Sequence, residues 1–82
     1  MKVFLTPSAL KQYSLLPEKF KLRVRKKLLF LENNLHEGKK LSEKLSEIRS
    51  LRVWPYRILY YIDNKSKKIY IVTIAHRQGV YS

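Results

Sequence analysis

The C-terminal half of the chain contains three successive segments with β-strand character: IRSLRV at residues 48–53, YRILYYI at 56–62 and IYIVTIA at 69–75. All three are rich in β-branched and aromatic residues, which strands favour. Trp54-Pro55 separates the first two, and residues 63–67 separate the last two. Because connections this short join antiparallel neighbours, the sequence predicts an antiparallel meander.

The N-terminal half predicts a strand and two helices. Residues 2–6 have strand character, and Thr6-Pro7 supplies a helix cap followed by proline in the first helical position. This first helix should end near Ser14, ahead of Pro17, where a second helix begins. The second helix carries apolar residues at helical spacing, namely Phe20, Val24, Leu28, Leu31 and Leu35.

Gly38 is predicted to stop the second helix, and residues 37–50 are interpreted as a connector with one helical turn. The predicted order is β-α-α-β-β-β, an α+β fold with a small antiparallel sheet and both N-terminal helices packed on one face. The other face of the sheet is then available for function. A chain of 82 residues predicts a single domain over 1–82.

The charge of the chain points to an anionic partner. Eighteen Lys plus Arg against 6 Asp plus Glu give a formal net charge of +12, and self-repulsion of this size opposes folding unless an anion binds. Nucleic acid is the leading interpretation; a solvated basic surface, a membrane-facing patch and an acidic protein partner are the alternatives. No apolar run is long enough to span a bilayer, so we expect a cytoplasmic protein without membrane contact.

Several classes of chemistry are disfavoured. The chain has no cysteine, which removes disulfides, thiolate metal sites and a Cys nucleophile. Its carboxylates fall in the predicted helices, the connector and one turn, so a metal-dependent nuclease is not expected. Neither histidine has a nucleophile motif nearby, and His36 is interpreted as a surface residue at a helix end. We therefore predict no metal and no cofactor.

Basic and aromatic residues instead concentrate in the C-terminal half. Guanidinium groups bind phosphates and aromatic rings stack on unpaired bases, so this mixture suits single-stranded RNA. The alternative is that the tyrosines are half-buried strand residues and the arginines only solubilise an exposed sheet face. The set comprises Arg49, Arg52, Trp54, Tyr56, Arg57, Tyr60, Tyr61, Tyr70, His76, Arg77 and Tyr81.

The same residues carry a family resemblance. Leu51-Arg52-Val53, the segment PYRILYYID at 55–63 and the segment IAHRQGVY at 74–81 resemble the C-terminal signature of the RelE/ParE superfamily of toxins. The resemblance implies a toxin held inactive by a cognate acidic antitoxin in a hetero-oligomer. In the RelE branch it implies an endoribonuclease, an mRNA interferase, that cuts messenger RNA in the ribosomal A site without a metal and so inhibits translation.

The resemblance also implies roles for individual residues. Arg57 and Arg77 would hold the scissile phosphate and stabilise its growing negative charge. Tyr81 would stack on or orient a base, or act in proton transfer, and Arg52 and Arg49 would add basic groups. His76 is either a general acid or base, since its ordinary pKa lies near neutrality, or a structural residue at a strand end.

One departure from the family concerns the general base. Well-studied RelE ribonucleases have lysines on the strand before the Tyr-Arg motif, whereas residues 48–53 contain only arginines, which stay protonated at physiological pH. The base is then His76, a distant lysine, or absent. On the second helix, Lys19, Arg23, Lys26 and Lys27 are predicted to bind RNA.

Two other functions remain open at this point. One is a ParE-like inhibitor that binds DNA gyrase without cutting nucleic acid, and the other is a basic RNA-binding module with no toxicity.

Overall fold

The computed structural model describes residues 1–40 and 48–76. The predicted helical turn in the connector, at 41–47, lies outside the described residues, as do Arg77 and Tyr81. The described elements are β1 (Lys2–Leu5), α1 (Pro7–Ser14), α2 (Glu18–Asn33), β2 (Lys39–Lys40), β3 (Ile48–Val53), β4 (Tyr56–Asp63) and β5 (Lys68–His76).

The sheet has the strand order β1-β5-β4-β3-β2. The meander of β3, β4 and β5 is antiparallel, as predicted. β1 differs, because it pairs parallel with β5 at the edge of the sheet, with Val3 opposite Ile69. Parallel neighbours cannot be joined by a tight turn, and here the chain passes through both helices, β2, β3 and β4 between β1 and β5. The α+β class and the order β-α-α-β-β-β are confirmed, but the sheet is mixed rather than wholly antiparallel, and the two-residue β2 was not predicted.

Both helices lie on one face of the sheet, as predicted. Val24, Leu28 and Leu31 of α2 are buried against strand residues such as Ile58 and Ile69. Because side chains alternate across a strand, the intervening residues of β3, β4 and β5 lie on the opposite face, which we call the open face. Twelve apolar residues of the described ranges are buried, namely Ala9, Leu16, Val24, Leu28, Leu31, Leu51, Val53, Ile58, Tyr60, Ile69, Ile71 and Ile74.

The start of α1 follows the local sequence. The hydroxyl of Thr6 accepts a hydrogen bond from the Ala9 amide, and Pro7 occupies the first helical position. The same hydroxyl donates to the carbonyl of Val72, 3.2 Å away. Thr6 therefore both caps the helix and ties its first turn to β5.

Gly38 does not end α2, which already stops at Asn33. Gly38 instead allows Tyr60 to approach the backbone closely, because a Cβ built on Gly38 would lie 2.8 Å from the Tyr60 ring and hydroxyl. The Gly38 amide donates to the Tyr60 hydroxyl, which in turn donates to the carbonyl of Leu35, both at 2.9 Å. One buried phenol thus holds the segment after α2 against the sheet, and burial raises the pKa of Tyr60 above its usual range.

Replacing Tyr60 with phenylalanine should lower the free energy of unfolding by about 1 to 3 kcal/mol near pH 8, since it leaves a buried amide and carbonyl without their partner. Because the folded-state pKa of Tyr60 is raised, its hydroxyl contributes fully to the free energy of unfolding at pH values below about 10, the pKa of an unfolded tyrosine. That contribution is lost as pH rises through the folded-state pKa. Urea denaturation from pH 8 to pH 11 should show wild type and Tyr60→Phe converging at the alkaline end. A constant difference would contradict this role for the phenol.

A β-bulge interrupts the pairing of β4 with β5. Leu59 pairs with Thr73 but the next residue, Tyr60, pairs with Ile71, so Val72 is an extra residue in β5. The bulge changes which residues of β5 face the helices: Ile69 and Ile71 are buried before it and Ile74 after it. Beyond the end of β1, Gln12 of α1 accepts from the Ile74 amide at 2.7 Å and satisfies that part of the strand edge.

No helix within the described ranges is long and apolar enough to cross a membrane.

Candidate nucleic-acid interface

The open face carries two arginines side by side at one end of the sheet. Arg52 of β3 and Arg57 of β4 are register partners, and both alternate with the buried residues Val53 and Ile58. Arg57 donates to the hydroxyl of Ser50, 3.3 Å away. Like charges directly opposite each other destabilise a strand pair, so an anion between these guanidinium groups would stabilise this end of the sheet. We call Arg52 and Arg57 the arginine pair.

A row of aromatic rings extends across the other end of the open face. Tyr61 and Tyr70 stack with their ring centroids 5.3 Å apart, and Phe4 of β1 lies 6.3 Å from Tyr70. The Lys68 ammonium lies 5.1 Å from the Phe4 centroid. Sequence reasoning included both tyrosines but missed Phe4 and Lys68, because nothing in the sequence pattern indicated that β1 pairs with β5.

His76 lies on the helix side of the sheet and not with the arginine pair. It is the register partner of Tyr56, and the two rings meet edge to face at 5.6 Å. Tyr56 in turn meets Phe20 of α2 at 5.4 Å. The structure therefore separates His76 from Arg57, although the family resemblance implies that both act in one site.

The predicted basic residues of α2 form one stripe along the helix. Lys19 and Arg23 both lie over the ring of Phe20, at 5.0 and 5.6 Å. Arg23 also lines a groove of about 490 Å³ between α2 and the outer part of β3. Among the described residues, those that line this groove are Arg23, Lys26, Lys27, Phe30, Arg52, Val53 and Trp54. The structure thus brings three of the four predicted helix cations together with Arg52.

Arg49 has a structural contact in the described part of the chain. Its guanidinium donates to the carbonyl of Gly38 at 2.7 Å, with a longer contact of 3.5 Å to the carbonyl of His36. It lies opposite Tyr60 in the register and therefore away from the arginine pair. Arg49 helps to hold the segment after α2.

The acidic residues of the ranges 1–40 and 48–76 lie on α2, just after α2 and at the end of β4. No three His, Cys, Asp or Glu residues of these ranges come together as a metal site. The pKa of Asp63 is lowered by hydrogen bonds from the Ser66 side chain and from turn amides. Asp63 lies at the far end of β4 from Arg57, so this carboxylate is not part of the site.

Comparison with known proteins identifies the class. A family model described as the ParE toxin of the type II toxin–antitoxin system parDE matches residues 3–81. Since the match covers nearly the whole chain, the protein belongs to this toxin family, within the RelE/ParE superfamily. No curated protein shows significant sequence similarity to the chain.

Solved structures of the superfamily share the fold. A chain of the toxin–antitoxin complex RelBE2 from Mycobacterium tuberculosis is 29% identical, with 93% of this chain and 96% of that chain covered and a TM-score of 0.80. A chain of the intact RelBE complex from E. coli is 13% identical, with 92% and 94% covered and a TM-score of 0.80. The YoeB dimer from Staphylococcus aureus is 19% identical, with 93% and 95% covered and a TM-score of 0.75. The last two show a likeness of fold alone.

Proposed function

We propose that this toxin is a metal-independent endoribonuclease that cleaves messenger RNA in the ribosomal A site and so inhibits translation. The observation that carries the proposal is the arginine pair, Arg52 opposite Arg57 on the face that the helices leave uncovered. Two guanidinium groups directly opposite each other on paired strands can contact one phosphodiester from two sides. A purely solubilising surface has no need to place two cations directly opposite each other.

In the proposed reaction, the ribose 2′-oxygen bonds to the adjacent phosphorus and the bond from phosphorus to the 5′-oxygen breaks. The products are a 2′,3′-cyclic phosphate and a 5′-hydroxyl end. Arg52 and Arg57 stabilise the negative charge that grows on the phosphate oxygens. The 2′-hydroxyl gives up one proton and the leaving 5′-oxygen takes one.

The rate of the proposed cleavage depends on the groups that transfer protons. His76 faces Tyr56 on the helix side, so in the described part of the chain no imidazole lies beside the arginine pair. Arginine is a poor base at physiological pH. Phosphate binding and charge stabilisation are therefore the main contributions that the described residues make to catalysis, and the ribosome is the partner that holds the message in place.

We also propose a cognate acidic antitoxin as a partner, in a hetero-oligomer in the cytoplasm. Two of the structurally similar chains come from toxin–antitoxin complexes. The charge of +12 favours an acidic segment. Leu15, Leu22 and Leu29 are more than half exposed, at 75%, 54% and 58%, and exposed apolar side chains of this kind suit a protein partner.

Inhibition of DNA gyrase without cleavage is the second candidate function. It is favoured by the family model, which is that of the ParE toxin, and by the separation of His76 from the arginine pair. A pure binding protein does not need a general base on the open face.

A translation assay separates the two functions. Purified toxin added to ribosomes translating a defined message should produce new 5′-hydroxyl ends at ribosome-occupied codons, and these can be mapped by primer extension. The same preparation should leave the supercoiling activity of gyrase unchanged. Inhibited supercoiling without new ends would establish the second function instead, and neither effect would favour a non-toxic RNA-binding module.

A further inference from the structure

The groove between α2 and β3 has features that the proposed cleavage reaction does not use. Three cations of α2 line one wall, and Arg52 and Trp54 line the other. None of the described residues that line it is acidic. A concave surface lined by charges of one sign concentrates counter-ions more strongly than a flat one. The groove therefore favours an occupant that carries negative charge.

The groove also presents two exposed aromatic side chains. Trp54 is 54% exposed and Phe30 is 40% exposed, although large aromatic residues usually bury most of their surface. The Lys27 ammonium lies 5.2 Å from the Phe30 centroid. Aromatic faces beside ammonium groups are the combination with which proteins hold a stacked, unpaired base next to its phosphate.

The position of the groove connects it with the open face. Arg52 lines the groove and is also the register partner of Arg57. A single strand whose phosphate lies on the arginine pair can therefore cross the outer part of β3 and place its next nucleotide between α2 and Trp54. An acidic peptide would match the charge, but it has no flat ring for the aromatic walls and no reason to continue onto the arginine pair.

We propose that this groove is a nucleotide subsite for single-stranded RNA next to the scissile phosphate, with the base stacked on Trp54 and Phe30 and its phosphate held by Lys26 and Lys27. The proposal rests on the proposed function, since it takes RNA to be the substrate on the open face.

Trp54 is the single tryptophan of the chain, so its fluorescence reports on the groove directly. Titration of the purified toxin with an unstructured RNA octamer should quench this fluorescence in a saturable manner. Lys26→Gln should weaken binding and lower the slope of log affinity against log salt by about 0.7, the value for one phosphate contact to a single strand. The matched control is Lys65→Gln, because Lys65 is exposed in the turn between β4 and β5 and loses the same charge.

The contribution of base stacking to affinity is measured without Trp54 fluorescence, because the test variant removes Trp54. Fluorescence anisotropy of the labelled octamer should show Trp54→Ala binding about 5- to 150-fold more weakly than wild type, which is the range for the loss of one stacked base. Trp54→Phe should recover most of that affinity because it keeps an aromatic face. Thermal melting of each variant identifies any loss of folding, which is expected to be small at these exposed positions.

The outcomes distinguish the subsite from the reaction. Arg57→Ala should retain RNA-dependent quenching of Trp54 fluorescence even where cleavage is lost. In the wild type, quenching without any cleavage would support the subsite and contradict the ribonuclease. An octamer that leaves Trp54 fluorescence unchanged, or whose affinity is equal for Lys26→Gln and Lys65→Gln, overturns the subsite. Quenching by a poly-glutamate peptide but not by RNA would overturn it too and assign the groove to an acidic protein segment.

Discussion

Arg57→Ala is expected to lower the rate of ribosome-dependent mRNA cleavage by about two to three orders of magnitude, the loss typical when one donor to a developing oxyanion is removed. The guanidinium lies on the open face opposite Arg52, where a phosphate between the two would gain its charge during the reaction. The rate of appearance of new 5′ ends under single-turnover conditions measures the effect.

Two further variants test whether the effect belongs to the site. Arg57→Lys keeps the charge but loses the planar, two-pronged donor, so it should fall between wild type and Arg57→Ala. Arg25→Ala removes one positive charge from an exposed position of α2 outside the groove and should leave the rate nearly unchanged. Equal losses for Arg25→Ala and Arg57→Ala would show that only the overall charge matters.

Leu28→Ala is expected to lower the free energy of unfolding by about 2 to 5 kcal/mol, through loss of buried contacts and the cavity left behind. Leu28 is 8% exposed, and its neighbour Leu29 is 58% exposed. Leu29→Ala is the same chemical change one residue further along α2, and it should stay within about 0.5 kcal/mol of wild type. Urea denaturation of the pair measures the difference.

The two leucines also separate stability from partner binding. If Leu28→Ala and Leu29→Ala destabilised the protein equally, the orientation of α2 on the sheet would be wrong. A normal stability for Leu29→Ala, combined with weaker binding of the cognate antitoxin, would instead locate part of that interface on the outer side of α2.

Local sequence patterns were sufficient to predict most of the fold. The bounds of α1 follow from Thr6-Pro7 at one end and from the apolar segment before Pro17 at the other, and the structure confirms Pro7–Ser14. The spacing of Val24, Leu28 and Leu31 identified the buried side of α2. These signals are local, because caps and helical periodicity depend on neighbours within one or two turns.

Long-range features could not be predicted in the same way. The pairing of β1 with β5 brings together residues more than sixty positions apart, and no local pattern encodes it. The sequence predicts a helix stop at Gly38 because glycine often has that role, whereas its lack of a side chain makes room for Tyr60. The groove at Trp54 depends on the packing of α2 beside β3, which periodicity alone does not specify.

The structure brings together only some of the predicted site residues. Arg52 and Arg57 do lie together, and Arg23, Lys26 and Lys27 share the groove with Arg52. The sequence motifs group His76 with Arg57 because they do not indicate the face of the sheet on which each residue lies. Its roles as a general acid or base, and those of Arg77 and Tyr81, stay predictions.

The extra residue Val72 decides on which side of the sheet the last residues of β5 lie. In a regular strand, His76 would fall on the same side as Arg57; the bulge places it with Ile74 and Tyr56 instead. Deletion of Val72 would remove the bulge and leave Ile74 and His76 on the helix side, because Ile71 and Ile74 would then be two positions apart in a regular strand. A homologue with a regular strand at this point therefore aligns with the end of β5 only when Val72 is left without a counterpart.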